Sequence, residues 1–91
     1  MDVRKVERIS KALSDPSRIT ILQQLREKEN CLYCQEISDF IELAQPSISH
    51  HLKQLADADL IIVEKEGRQV KYRLNVPILD EYVGFLNTLK V

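Results

Sequence analysis

The hydrophobic period of this chain changes twice, to an alternation and back, and those changes limit the folds open to it. Up to Asp59 the apolar residues recur at three- and four-residue steps, the spacing of helices that each bury one face. From Ile61 to Leu74 the spacing becomes an alternation. Ile61, Val63 and Lys65 alternate with Ile62, Glu64 and Glu66, and beyond Gly67-Arg68 the residues Val70, Tyr72 and Leu74 alternate with Gln69, Lys71 and Arg73. Two strands of about six residues around a glycine make a β-hairpin whose tip, Glu66 to Gln69, projects from the body. Helical spacing then returns. The chain should therefore be mainly α with one β-hairpin, an α+β protein, and its 91 residues suffice for a single domain, 1–91, with one modest core.

In the first part of the chain, Val3, Val6, Ile9 and Leu13 predict a helix over about 3–13 with a charged outer face of Arg4, Lys5, Glu7, Arg8 and Lys11. Asp15-Pro16 restarts the chain, Asp15 as N-cap and Pro16 at the first helical position. Ile19, Leu22 and Leu25 give the second helix its buried stripe, widened by Ile21. Arg18 can reach a phosphate or brace the helix start by pairing with a nearby acid, and the brace is the preferred reading. Cys31 to Tyr33 has room for one extended rung, and a short third helix follows over about 34–41 with Ile37 and Ile41 inward.

After a link at 42–44, a fourth helix begins near Gln45-Pro46 and runs roughly four turns. Ile48, Leu52 and Leu55 face the core with Ala56 beside them. The other side carries Gln45, Ser47, Ser49, His50, Lys53 and Gln54 and is free of carboxylates until Asp57. Such side chains hydrogen-bond phosphates and base edges, so this face predicts DNA reading. A short helix, a turn and a longer polar-faced helix form a helix-turn-helix, and a hairpin appended to it gives the outline of a winged helix with Arg68 at the wing tip.

Asn75 to Pro77 break the second strand and cap a last helix over about 78–90. Ile78, Leu79, Tyr82, Val83, Phe85, Leu86 and Leu89 cover more than one side of it, more than so small a monomer can bury. A homodimer follows as an expectation. The terminal helices form its interface, with Val6, Ile9, Tyr82, Phe85, Leu86 and Leu89 as the contact set.

The net charge of −1 is low for a nucleic-acid binder. From Gln45 to Arg73, however, Lys53, Lys65, Arg68, Lys71 and Arg73 stand against Asp57, Asp59, Glu64 and Glu66, a small local excess that the fold must gather on one face. The N-terminus lacks the apolar segment of a signal peptide and no apolar run reaches membrane-spanning length, so the expectation is a cytoplasmic protein with no membrane partner. Two cysteines in one short stretch fit a reducing compartment.

Ala12-Leu-Ser-Asp-Pro-Ser-Arg-Ile-Thr-Ile-Leu22, then Ala44-Gln-Pro-Ser-Ile-Ser-His-His-Leu-Lys-Gln-Leu55, then a Gly-Arg wing ending in Val70-Lys-Tyr-Arg-Leu74, together resemble the ArsR/SmtB family of bacterial and archaeal repressors. The resemblance implies a dimeric winged helix-turn-helix of order α-α-α-α-β-β-α that leaves its operator when a metal ion, metalloid or redox signal binds. Carried onto this chain, the family's DNA-reading positions fall on Gln45, Ser47, Ser49, His50, Lys53 and, at the wing, Arg68. Two recognition helices in successive major grooves, roughly 34–36 Å apart, would read a pseudo-palindrome in double-stranded DNA.

The sensor departs from the family's pattern. Metalloid sensors of the family often carry Cys-x-Cys before an acidic-aliphatic pair. Here that pair is Glu36-Ile37, and the two cysteines would fall on Tyr33 and Gln35, whereas Cys31 and Cys34 straddle the register. The zinc sites built from Asp and His on the last helix are missing, since no His follows Asp80 and Glu81. Two readings of the cysteine pair stand side by side. Cys31 and Cys34 can grip a thiol-binding metalloid or metal, or oxidise, although two thiolates make only half a tetrahedral site. Alternatively Cys34 fills the apolar stripe of the third helix and no cofactor is involved.

His50 and His51 are adjacent on their helix and cannot both hold one ion in the i, i+4 manner. His50 faces outward, as a DNA contact or a solvated residue; His51 lies near the core stripe as a hydrogen-bonded structural histidine. A winged helix can also serve as a protein-interaction module, and it can belong to this family without sensing metal. No triad, phosphate loop or paired carboxylates suggest an enzyme.

Overall fold

Asp2 opens the first helix, α1 (Val3–Ala12), by accepting the Lys5 N–H at 2.8 Å. Asp15 does the same for α2 (Pro16–Glu27): its backbone is extended, and its carboxylate accepts the N–H groups of Ser17 at 2.8 Å and Arg18 at 3.4 Å. Each carboxylate thus satisfies donors that a helix start leaves unpaired, with Pro16 in the turn where a missing N–H costs nothing. The computed structural model describes residues 1–28, 31–33, 36–37 and 45–90.

The packing of α2 differs from the expected stripe. Ile21 and Leu25 are fully buried, Leu22 is half-buried, and Ile19 is 41% exposed. Ile21 and Leu25 lie on one line of the helix, Leu22 lies about a quarter-turn from Ile21 and Ile19 nearly opposite it, so only one of these lines can enter the core shared with the third described helix, α3 (Gln45–Asp57). The Ile21–Leu25 line does so, leaving Ile19 and Leu22 to line an open apolar cleft of about 280 Å³ with Leu74 and Leu79. On α1 the inward residues are Ile9 and Ala12, while Val3 is 73% exposed.

The helix α3 buries Ile48, Leu52 and Leu55 as its spacing requires. It ends at Asp59, which takes a left-handed conformation (φ 60°). The Asp59 N–H bonds the Ala56 carbonyl and the Leu60 N–H bonds the Leu55 carbonyl, both at 3.0 Å. This is the Schellman closure, here with Asp at the position glycine usually takes. Asn75 clamps the same turn, donating its side-chain amide to the Asp59 carbonyl at 2.8 Å and its backbone N–H to the Leu60 carbonyl at 3.0 Å. Committed there, the Asn75 side chain makes no capping bond to the last helix, α4 (Val76–Thr88), which starts two residues before the expected Ile78.

Three strands form one antiparallel sheet: β1 (Cys31–Tyr33), β2 (Ile61–Glu66) and β3 (Gln69–Leu74), in the order β1-β3-β2. The hairpin has the expected boundaries, Ile61 pairing with Leu74 and Glu66 with Gln69. Gly67 takes φ 61° at the first position of the two-residue loop, which the right-handed twist of the strands favours and a side chain would oppose. The extended rung at Cys31–Tyr33 is a third strand, with Cys31 opposite Arg73 and Tyr33 opposite Lys71.

Of the expected third helix, Glu36 and Ile37 are helical and Ile37 is fully buried; Cys34, Ile41 and the link 42–44 lie outside the described residues. Ile9, Ala12, Ile21, Leu25, Ile37, Ile48, Leu52, Leu55, Ala58, Leu60 and Ile61 form one core, to which α1, α2, α3 and the start of β2 contribute, with Tyr72 and Leu74 of β3 packed against it. None of the residues of α4 is buried: Ile78, Leu79 and Tyr82 lean on the core, while Val83, Leu86 and Leu89 are 53%, 40% and 68% exposed.

Candidate nucleic-acid interface

The core anchors of α3 fix which side of it meets solvent. With Ile48, Leu52 and Leu55 inward, Ser47, Ser49, His50, Lys53 and Gln54 are all exposed on the other side, and Gln45 stands at the first position of the helix. The first turn contains no acid, so nothing there repels a phosphate from the partial positive charge at a helix N-terminus. The wing stands next to this face. Ser49, Leu52, Lys53 and Ala56 of α3 share a cleft of about 260 Å³ with Val63 and Tyr72 of the hairpin. Helix and wing therefore present one continuous surface, ending in the exposed tip Glu66 to Gln69 with Arg68.

Charge on this surface is partly spent internally. Arg73 pairs with Glu64 at 2.7 Å and Lys71 with Glu66 at 3.5 Å across the hairpin; exposed pairs of this kind contribute about 0–1 kcal/mol each. Among the described residues, Lys53, Lys65 and Arg68 are in no ion pair and are the cations this face can offer to an anion.

The two histidines separate as the spacing suggested. His50 is exposed, while His51 is half-buried with its Nδ1 at 3.3 Å from Nη1 of Arg18. Their rings lie 6.1 Å apart at 54°. Among the described residues no three His, Cys, Asp or Glu side chains gather as a metal site. Arg18 is a brace, but its partners are carbonyls, not an acid: Nε donates to Ala12 at 2.7 Å and Nη2 to Lys11 at 3.2 Å. Partial burial pushes the Asp15 carboxyl up; the Ser17 and Arg18 N–H groups, with the neighbouring His51 ring and the Arg18 guanidinium, outweigh it and hold it below the usual carboxylate range.

Of the cysteine pair, the backbone of Cys31 lies in β1 and Cys34 is outside the described residues. Tyr33, between them in sequence, donates its N–H to Glu36 at 3.1 Å and its hydroxyl to Glu66 at 3.1 Å. The strand that carries Cys31 is thereby tied to the tip end of the wing. No local pattern announces this link, because Tyr33 and Glu66 meet only once β1 pairs with β3. In the expected interface set, Val6, Tyr82 and Phe85 are half-buried and Leu86 and Leu89 exposed. Ile9 must be removed from it: at 2% exposure it belongs to the core of its own chain. Tyr82 spends its hydroxyl on Ser10 at 2.8 Å, joining α4 to α1.

A buried-stripe helix with a polar outer face, a hairpin wing beside it and a supporting helix pair define a winged helix-turn-helix. The sequence profile described as "Bacterial regulatory protein, arsR family" matches residues 15–63, from the Asp15 cap into β2. An arsenical resistance operon repressor of Staphylococcus aureus is 38% identical over 89 residues, covering 98% of this chain and 84% of the repressor. Among solved structures, HlyU from Vibrio cholerae is 30% identical with a TM-score of 0.76 over 98% of this chain and 97% of its own. An ArsR-like transcriptional regulator from a Rhodococcus species shares the fold at 24% identity, TM-score 0.84, over 96% of this chain and 80% of that one. The chain belongs to the arsR family of bacterial regulatory proteins, DNA-binding transcriptional repressors and not enzymes. Among the described residues no helix is long and apolar enough to cross a membrane.

Proposed function

We propose that this repressor works in the cytoplasm as a homodimer of single-domain subunits on a pseudo-palindromic operator. The observation that carries the reading is the outer face of α3, polar and free of carboxylate up to Asp57, continuous with a wing that ends in Arg68. Placed in the major groove, Gln45, Ser47 and His50 suit base edges, and Ser49, Lys53 and Gln54 suit phosphates and groove walls. Arg68 reaches the neighbouring minor groove or its phosphates. The apolar side of α4, with Tyr82, Phe85, Leu86 and Leu89, and Val6 of α1 supply the contact with the second subunit, and a two-fold axis then sets the half-sites roughly 34–36 Å apart. Binding to a promoter duplex, followed by fluorescence anisotropy against salt, tests this. Log affinity should fall with log salt by roughly 0.9 for each phosphate neutralised; a flat profile rejects DNA binding in favour of a protein partner.

The effector in this reading is a thiol-binding metalloid, a metal or an oxidant acting at Cys31 and Cys34. Its supports are the paired thiols, the tie from β1 to the wing through Tyr33 and Glu66, and relatives that repress arsenical resistance operons. A ligand that displaces β1 would pull on the wing directly. Arsenite or mild oxidant should release the wild-type protein from DNA and leave Cys31→Ser and Cys34→Ser bound. Release from both variants rejects the cysteines as sensor. The offset of the cysteines from the family's Cys-x-Cys register favours a second reading, a regulator of this family with no metal sensing, and the same experiment separates the two.

A further inference from the structure

The three core anchors of α3 lie along one line of the helix and hold that line against the body. His51 is off that line, between the buried Leu52 and the exposed His50. Its Nδ1 meets the Arg18 guanidinium, whose other nitrogens are fixed on the carbonyls of Lys11 and Ala12 at the end of α1. The Lys11 carbonyl also accepts the Ser14 N–H at 3.2 Å and the Ser14 hydroxyl at 2.6 Å, and a cation at a helix C-terminus is favoured by the dipole, so the guanidinium is anchored at the end of α1 by Lys11 and Ala12 together. Asp15 holds the Arg18 backbone from below. One planar side chain of α2 therefore joins the end of α1 to the middle of α3.

We infer that Arg18 and His51 are positioning residues for DNA reading: the clamp sets the roll at which α3 presents Ser47, His50 and Lys53, relative to α1 and hence to the second subunit. The inference rests on the operator-binding reading above. Arginine has donors only, so the bond requires a lone pair on Nδ1 and places the imidazole proton on Nε2.

The test uses the duplex that the wild-type protein selects from a random pool. His51→Leu and Arg18→Lys should each weaken binding about tenfold, the double variant no more than either alone, and His51→Asn, which keeps an oxygen acceptor near Nδ1, should stay within about threefold. Nitrogen NMR of the His51 ring should show an acceptor Nδ1 in the wild type, lost as a single population in Arg18→Lys. Additive losses in the double variant, or an Asn variant as weak as the Leu variant while both melt near the wild-type temperature, overturn the inference. If the wild-type protein selects no duplex, the operator-binding reading fails first; a Nδ1 that carries the proton overturns the clamp by itself.

Discussion

Two helices of this molecule show solvent an unusual face, and they are unusual in opposite ways. The outer side of α3 is covered by Ser, His, Lys and Gln; that of α4 shows Val83, Leu86 and Leu89 at 40% exposure or more. Water tolerates the first at no cost and penalises the second by roughly 25 cal/mol for each square ångström of apolar surface. A polar face so poor in carboxylate is suited to an anionic partner, and an apolar face without a cover is suited to another apolar face. The proposed function uses this difference, giving DNA to α3 and a second subunit to α4.

Charging the apolar face should produce the largest effect. Leu86→Glu combined with Leu89→Glu is expected to give monomers by sedimentation and to cost about 10²-fold or more in operator affinity, because two half-sites are no longer engaged together. A dimer that survives these changes would break the assignment of α4. Next comes the core line that aims α3: Leu55→Ala should lower unfolding free energy in a urea titration by about 2–5 kcal/mol, with affinity lost through instability and not through contact. Changes on the polar face should be smaller and should spare folding. Lys53→Ala or Arg68→Ala is expected to lower affinity and to reduce the salt slope by about 1, whereas His50→Ala should cost about 1–3 kcal/mol and relax specificity at one base position. An unchanged salt slope for both lysine and arginine variants would move the DNA contact elsewhere.

The smallest effect is one of pH. The Asp15 carboxyl lies below its usual value of 3.8 in the folded chain, so its contribution to stability is complete above that value and is lost as pH falls through the folded one. Asp15→Asn should therefore flatten the acid limb of a melting-temperature profile and leave the neutral limb nearly parallel to the wild type.

What could be read in the sequence was local. Alternation and a glycine defined the hairpin to the residue, and Asp15-Pro16 defined the start of α2, because each signal is completed within a few positions. The side of α3 was legible because its apolar residues leave only one core line. On α2, three neighbouring apolar residues, Ile19, Ile21 and Leu22, left the choice of line to partners far away in the chain. Ile9 was placed at the subunit contact for a similar reason: helical spacing marks an apolar face without saying which neighbour covers it. Arg18 was recognised as a brace, but its carbonyl partners have no side-chain signature, and the Tyr33–Glu66 link depends on a strand pairing that joins residues some forty positions apart.

That pairing also sets an order in time. The hairpin closes through a two-residue loop, so β2 and β3 can zip within microseconds once the chain collapses. The β1–β3 ladder joins Cys31–Tyr33 to Lys71–Arg73, with a whole recognition helix in between, and its closure entropy must be met before any of its hydrogen bonds form. The rung beside the cysteines is thus late to dock and early to leave. Its amides should exchange with solvent faster than those of β2, so a ligand that acts there meets the sheet at the edge which opens most readily.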